Sequence, residues 1–135
     1  MTDLQSILKA DRPLTLASVP AGFMPLLVAD LARGAKSATL YIAPDDAAMR
    51  SLADTIPFFA PELEILQFPA WDCLPYDRAS PSTVITSQRM ATLNALQQPA
   101  KSKRVLLTTI GAMIQRVLTP FRIRQTGAIL ASGVS

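Results

Sequence analysis

Residues 38–68 have the sequence ATLYIAPDDAAMRSLADTIPFFAPELEILQF, in which two short apolar runs flank an amphipathic segment. The first run, residues 38–43, and the second, residues 63–68, are typical of buried strands. Between them, Pro44-Asp45-Asp46 predicts a turn and an N-cap for a helix over residues 47–56, which Pro57 ends or kinks. A strand, a helix and a strand in this order predict a right-handed βαβ unit in a layered α/β sheet.

The same alternation continues on both sides of this unit. Residues 104–109, RVLLTT, suit an interior parallel strand, and residues 14–18, LTLAS, predict a further buried strand. Helices are expected over residues 3–10 (Asp3 as N-cap), 25–34 (Pro25 in the first turn, Gly34 as the terminating cap), 81–97 (Ser80 as N-cap, Pro81 in the first turn) and 111–118 (stopped by Thr119-Pro120). The pattern predicts an α/β fold of three layers, with a mostly parallel sheet flanked by helices.

The C-terminal residues do not fit this pattern. We expect residues 1–120 to form one α/β subdomain, in which residues 18–26 stand where a phosphate loop would be but lack its motif. Residues 121–135, FRIRQTGAILASGVS, contain strand-like pieces with no obvious partner. They are expected to begin the next subdomain or to form an open C-terminal segment. We therefore expect the chain to be a piece of a longer protein.

The composition excludes several kinds of chemistry. The 135 residues include no histidine and one cysteine, Cys73, so the commonest general base and metal ligand and any intrachain disulfide are excluded. Half of the residues are hydrophobic, which is enough for a packed core, and only 17% are charged. The sequence contains neither an export signal nor a run of about 20 apolar residues. We expect a reduced, cytoplasmic protein with no membrane contact.

Charge is distributed unevenly along the chain. Residues 1–77 hold five Lys or Arg and ten Asp or Glu, whereas residues 78–135 hold eight Lys or Arg and no acid. Such asymmetry is typical of binding to a phosphate backbone or an acidic partner, of a missing acidic continuation, or of a basic surface without a dedicated partner. Six residues are candidates for phosphate contacts: Lys101, Lys103, Arg104, Arg116, Arg122 and Arg124.

The sequence contains no catalytic, cofactor-binding or metal-binding residue that we can assign. A phosphate loop after the first strand requires G-x-x-x-x-G-K-[ST], but residues 18–26 are SVPAGFMPL, with one glycine and no lysine. Asp45-Asp46 is better explained as a helix N-cap than as a cation site. Asp72 and Asp77 lack catalytic neighbours, and Cys73 lacks a histidine to activate it. We expect no enzymatic activity and no cofactor for this chain.

An interaction surface is the remaining functional candidate. Trp71 and Tyr76, with Leu74 and Pro75, form either an aromatic anchor in an interface or a plug at the end of the sheet. The candidate surface comprises Trp71, Tyr76, Arg78, Arg116, Arg122 and Arg124.

Residues 68–77, FPAWDCLPYD, are similar to the F-P-x-W-[DE]-x-L-P-Y-[DE] segment of the bacterial transcription-repair coupling factor family, Mfd. The resemblance spans about residues 14–120. Its further matching positions are 41–45, Ser80-Pro81, Ile85, Ser87, Arg89, Thr92-Leu93, Leu96, Thr108-Thr109, Met113 and 115–117.

This resemblance implies a fold like the first domain of the UvrB excision-repair helicase, with a decayed ATPase site. It implies that a neighbouring subdomain recruits the damage sensor UvrA, and that later domains bind RNA polymerase and DNA. ATP and Mg²⁺ would belong to those motor domains. No catalytic or partner-binding residue of the family transfers to this chain. The expected function is a non-catalytic scaffold in nucleotide excision repair at stalled RNA polymerase. The alternative is a small basic nucleic-acid-binding domain that uses the acid-free C-terminal half.

Overall fold

A computed structural model of the chain describes residues 4–10, 12, 14–71, 82–114 and 129–131. The elements in chain order are α1 (Leu4–Leu8), a 3-10 turn (Ala21–Phe23), α2 (Met24–Gly34), β1 (Thr39–Ala43), α3 (Asp46–Phe59), β2 (Glu64–Phe68), α4 (Thr83–Gln97), β3 (Arg104–Thr109), α5 (Ile110–Ile114) and β4 (Ile129–Ala131). The sheet order is β2-β3-β1-β4, and every pairing in the described ranges is parallel. These observations confirm the predicted α/β class and the interior position of β3.

The sheet lies between two helical layers. Tyr41 and Leu107 belong to the main core cluster, which also contains residues of α2 and α3, such as Val28 and Met49. Side chains alternate along a strand, so Phe68 faces the side of the sheet opposite Ile65, which packs against that core. Arg89 of α4 contacts the Phe68 ring, which places α4 on that second side. The three-layer prediction is therefore confirmed.

Helix α3 begins as the sequence predicts and ends later. The Asp45 side chain accepts a hydrogen bond from the Ala48 backbone N–H at 2.8 Å, which confirms it as the N-cap. Pro57 does not end the helix, which was one of its two predicted effects, since α3 continues to Phe59. Pro57 lies in the last turn, and the Ala60 N–H still donates to the Ile56 carbonyl at 2.9 Å. This extra turn buries Ala60 completely.

Residues 14–18 do not form the predicted buried strand. Leu14 is 48% exposed, and Ser18 has a φ of 58°, a left-handed conformation that interrupts extended backbone. Both edges of β1 are already occupied, by β3 and by β4. A strand at residues 14–18 therefore has no place beside β1.

Three helix boundaries also differ from prediction. Gly34 is the last residue of α2 and has no positive φ, and Ala35 takes the cap position. A Cβ at Gly34 would overlap the Leu8 side chain, so close packing of α1 explains this glycine. Helix α4 begins at Thr83, two residues after its predicted start, with Ser82 in the N-cap position and the Thr86 N–H donating to the Ser82 carbonyl. Helix α5 begins at Ile110, one residue before its predicted start.

Other boundary predictions fall outside the described residues. These are Asp3, Ser80, Pro81 and the continuation of α5 over residues 115–118. The expectation that the C-terminal strand-like pieces lack a partner is wrong for residues 129–131. They form β4 beside β1, with Ile129 opposite Leu40. None of the helices in the described ranges is long and apolar enough to cross a bilayer.

Candidate interaction surface

Trp71 lies directly beyond the carboxyl end of β2 and stacks on an arginine from α4. The Arg89 guanidinium carbon is 4.3 Å from the centre of the Trp71 ring and 4.1 Å from the centre of the Phe68 ring. Its Nη1 donates a 2.6 Å hydrogen bond to the Pro69 carbonyl, and Pro69 is fully buried. Arg89 therefore contacts Phe68 at the end of β2 and both Pro69 and Trp71 in the segment that follows.

Helix α4 is held against β2 by polar groups on one face. Arg89 and Thr92 are one turn apart and only 3% and 4% exposed, respectively. The Thr92 hydroxyl donates to the Gln67 carbonyl at 2.5 Å, while the Thr108 hydroxyl donates to the Phe68 carbonyl at 2.9 Å from the neighbouring strand. Since β2 is an edge strand of the described sheet, α4 satisfies carbonyls that would otherwise lack a strand partner.

The electrostatics of Arg89 follow from its burial. Desolvation lowers the pKa of the Arg89 guanidinium from its ordinary value. An arginine nevertheless remains charged in proteins, so the two rings and the Pro69 carbonyl face a permanent cation. The ion pairs present in the described ranges involve Arg33 and Arg104 instead. This arrangement fixes the orientation of an aromatic side chain and has no evident bond-making chemistry.

The structure locates only part of the predicted surface. Trp71 is half-buried and packs on Arg89. The other five candidates, Tyr76, Arg78, Arg116, Arg122 and Arg124, lie outside the described residues, as do Asp72, Cys73 and Asp77. Sequence reasoning gave Arg89 no functional role. The available signal was its position four residues from both Ile85 and Leu93, on the half-buried stripe of α4.

The loop before α2 lies where a phosphate loop would stand in a nucleotide-binding domain of this architecture. It contains the 3-10 turn, closed by a 2.9 Å bond from the Phe23 N–H to the Pro20 carbonyl. Gly22 has no positive φ, and a Cβ there would meet no atom within 4 Å, so nothing in the loop requires a glycine at that position. Pro25, in the first turn of α2 as predicted, supplies no N–H. In the described ranges, no group of three or more His, Cys, Asp or Glu side chains is placed to hold a metal ion.

A second surface lies at the amino end of the sheet, where β1 and β3 begin, and therefore at the end opposite the stack of Arg89 and Trp71. Here a groove of about 330 Å³, the amino-edge groove, is lined by Lys36, Lys101, Lys103 and Arg104 together with serine and alanine residues. Lys103 donates to the Arg33 and Ala35 carbonyls at the end of α2. Arg104 pairs with Glu64 and donates to the Gln98 carbonyl. Of the phosphate-contact candidates, Lys103 and Arg104 thus have internal partners, and Lys101 is exposed.

An exposed ion pair between Arg33 and Glu62 lies near this end of the sheet. Arg33 Nε donates to Glu62 at 2.5 Å, and the Arg33 Nη2 donates to the Phe59 carbonyl at 2.7 Å. The hydrogen bond from Arg33 lowers the pKa of Glu62, and Glu62 raises the pKa of Arg33. These bonds tie the end of α2 to the end of α3.

The described residues define a parallel α/β domain with an aromatic and guanidinium stack at the carboxyl end of its edge strand. No model of a known protein family matches the chain. Two curated proteins do, and both are transcription-repair-coupling factors. The protein from Escherichia coli is 31% identical over 109 residues, which cover 81% of this chain. That from Haemophilus influenzae is 25% identical over 118 residues, which cover 87% of this chain.

These matches confirm the resemblance seen at residues 68–77. The chain is related to the transcription-repair-coupling factors over most of its length. It spans about a tenth of the length of these curated relatives, 9% of one and 10% of the other.

Proposed function

We propose that this chain is a non-catalytic domain of a transcription-repair coupling factor. It serves as the scaffold for a module that recruits UvrA to RNA polymerase stalled at DNA damage. The observation that carries this proposal is the sequence match to two such factors over 81–87% of the chain. A cytoplasmic location fits this role. Other parts of a full-length protein would contact RNA polymerase and DNA and would contain the ATP-dependent motor.

The geometry supports a scaffold rather than an enzyme. The loop before α2 lacks the lysine and second glycine that would hold phosphates, and Pro25 removes a donor from the helix start. The carboxyl end of the sheet, where α/β proteins usually bind small ligands, instead carries the Phe68–Arg89–Trp71 stack.

Isothermal titration of the 135-residue chain with Mg-ATP tests the non-catalytic part of this proposal. We expect no heat beyond that of dilution. Binding with micromolar affinity would contradict the proposal, because it would require a nucleotide site in this domain.

A chimera tests the scaffold role. The aligned residues of the Escherichia coli factor are replaced with those of this chain, and UvrA recruitment to stalled RNA polymerase is measured. We expect the chimera to remain active and to tolerate Val84→Ala and Met90→Ala, because both side chains are exposed on α4. Leu31→Asp, which puts a charge at a fully buried position, should abolish recruitment. A folded but inactive chimera would contradict the proposal, as would loss of recruitment in either exposed variant.

A further inference from the structure

The amino-edge groove combines cations from distant parts of the sequence. Lys36 follows α2, whereas Lys101, Lys103 and Arg104 precede or begin β3. The parallel pairing of β1 with β3 brings these segments together, with Thr39 opposite Val105. The residues that line the groove include no Asp or Glu.

The four cations divide into two pairs with different roles. Lys103 and Arg104 hold the fold together, since both donate to backbone carbonyls and Arg104 also pairs with Glu64. Lys103 also offsets the negative end of the α2 dipole, which would otherwise repel an anion at this place. Lys36 and Lys101 are exposed at the rim of the groove, and no ion pair in the described ranges involves them.

We propose that the amino-edge groove binds the phosphate backbone of a nucleic acid, with Lys36 and Lys101 as the direct charge contacts. Lysine ammonium groups bind phosphates as point charges, and serine hydroxyls such as that of Ser102 are common donors to phosphate oxygens. The only apolar residues in the lining are two alanines, so the groove offers no large apolar side chain to anchor a peptide. The scaffold role requires no contact with nucleic acid, so this function goes beyond it.

This groove differs from the surface that charge asymmetry along the sequence predicts. The alternative function stated above, a small basic nucleic-acid-binding domain, places the phosphate contacts in the acid-free residues 78–135. In the structure, Lys36 comes from the acid-rich half, and two of the C-terminal cations are engaged internally. The cations that lie together in the groove are therefore not the set that the charge asymmetry along the sequence predicts.

Fluorescence anisotropy with a labelled DNA duplex tests the groove, using the full chain over a series of salt concentrations. Each phosphate neutralised contributes about 0.9 to the slope of log affinity against log salt. We expect the Lys36→Ala/Lys101→Ala variant to lose about 1.8 from the magnitude of that slope and to bind at least fivefold more weakly at low salt. Arg50→Ala, which removes an exposed cation on α3, should bind like the wild type. Circular dichroism melting checks that all variants are folded.

Three outcomes would overturn the proposal. The first is the absence of duplex binding by the wild-type chain even at low salt. The second is an unchanged slope in the Lys36→Ala/Lys101→Ala variant while an Arg116→Ala/Arg122→Ala/Arg124→Ala variant loses binding. The third is equal competition by poly-glutamate, which would mean that the groove attracts any polyanion.

Discussion

At the residue scale, Arg89 illustrates how a buried charge can organise a loop. A cation in the interior is costly unless its surroundings replace water, and here two ring faces and a backbone carbonyl do so. The arginine is well suited to this position because its planar guanidinium can stack on aromatic rings while donating in its own plane. Arg89 therefore helps to set the direction in which the chain leaves β2.

Replacing Arg89 with lysine should test that dependence, because lysine keeps the charge and loses the planar group. We expect Arg89→Lys to lower the free energy of unfolding by about 1–3 kcal/mol, from weaker stacking and a weaker bond to the Pro69 carbonyl. Trp71 is the only tryptophan in the chain, so its emission should shift to the red as the ring becomes wetter. Urea unfolding followed by fluorescence measures both effects. Arg50→Lys, at an exposed position, is the control, and equal behaviour of the two variants would refute this interpretation.

At the element scale, the contact between α1 and α2 depends on a missing side chain. Gly34 ends α2 without a left-handed conformation, and the space that a Cβ would occupy is filled by Leu8 of α1. Glycine ordinarily destabilises a helix relative to alanine by about 0.5–1 kcal/mol. Here that cost is offset by the close approach of the two helices.

A double-mutant cycle between Gly34 and Leu8 measures this compensation. Gly34→Ala alone should stabilise the protein by less than about 0.5 kcal/mol, because the new methyl group displaces the Leu8 side chain. In a Leu8→Ala background, the same substitution should recover the full gain of about 0.5–1 kcal/mol. Urea unfolding of the four proteins provides the values. An identical effect of Gly34→Ala in both backgrounds would show that the helices do not compete for this space.

Local sequence signals predicted those elements whose determinants are local. Asp45 as an N-cap and the apolar runs of β1, β2 and β3 were recognisable because capping and burial act over a few residues. Residues 14–18 look equally strand-like, but the places beside β1 are taken, and competition for a sheet edge is not visible locally. Likewise, Trp71 was a candidate by residue type, whereas the role of Arg89 depends on α4 docking on β2.

At the scale of the whole molecule, the apolar core of the described residues lies mainly on one side of the sheet. Val105 and Leu107, on the side of α2 and α3, are fully buried, whereas Leu106 on the other side is half-buried. On that second side, among the described residues, α4 packs chiefly on β2. Most of the hydrophobic stabilisation of the described domain should therefore come from one side of the sheet.

Alanine substitutions on adjacent residues of β3 quantify this asymmetry. Leu107→Ala should destabilise the domain by about 2–5 kcal/mol, the usual cost of truncating a fully buried leucine. Leu106→Ala should cost less than half as much, because the side chain keeps part of its contact with water in the folded state. Chemical denaturation of the two variants compares them in the same strand. Equal losses would mean that the second side of the sheet is as well packed as the first.

Strand β4 is synthesised after the three other strands of the sheet. Strands β1, β2 and β3 are complete once residue 109 has been synthesised, but β4, which pairs with the second edge of β1, begins at residue 129. At a synthesis rate of about 5–20 residues per second, roughly 1–4 s separate these events on the ribosome. During that interval, no other strand in the described ranges pairs with the N–H and C=O groups along that edge of β1. A newly made chain is therefore briefly open to any extended peptide, including a neighbouring copy on the same messenger RNA.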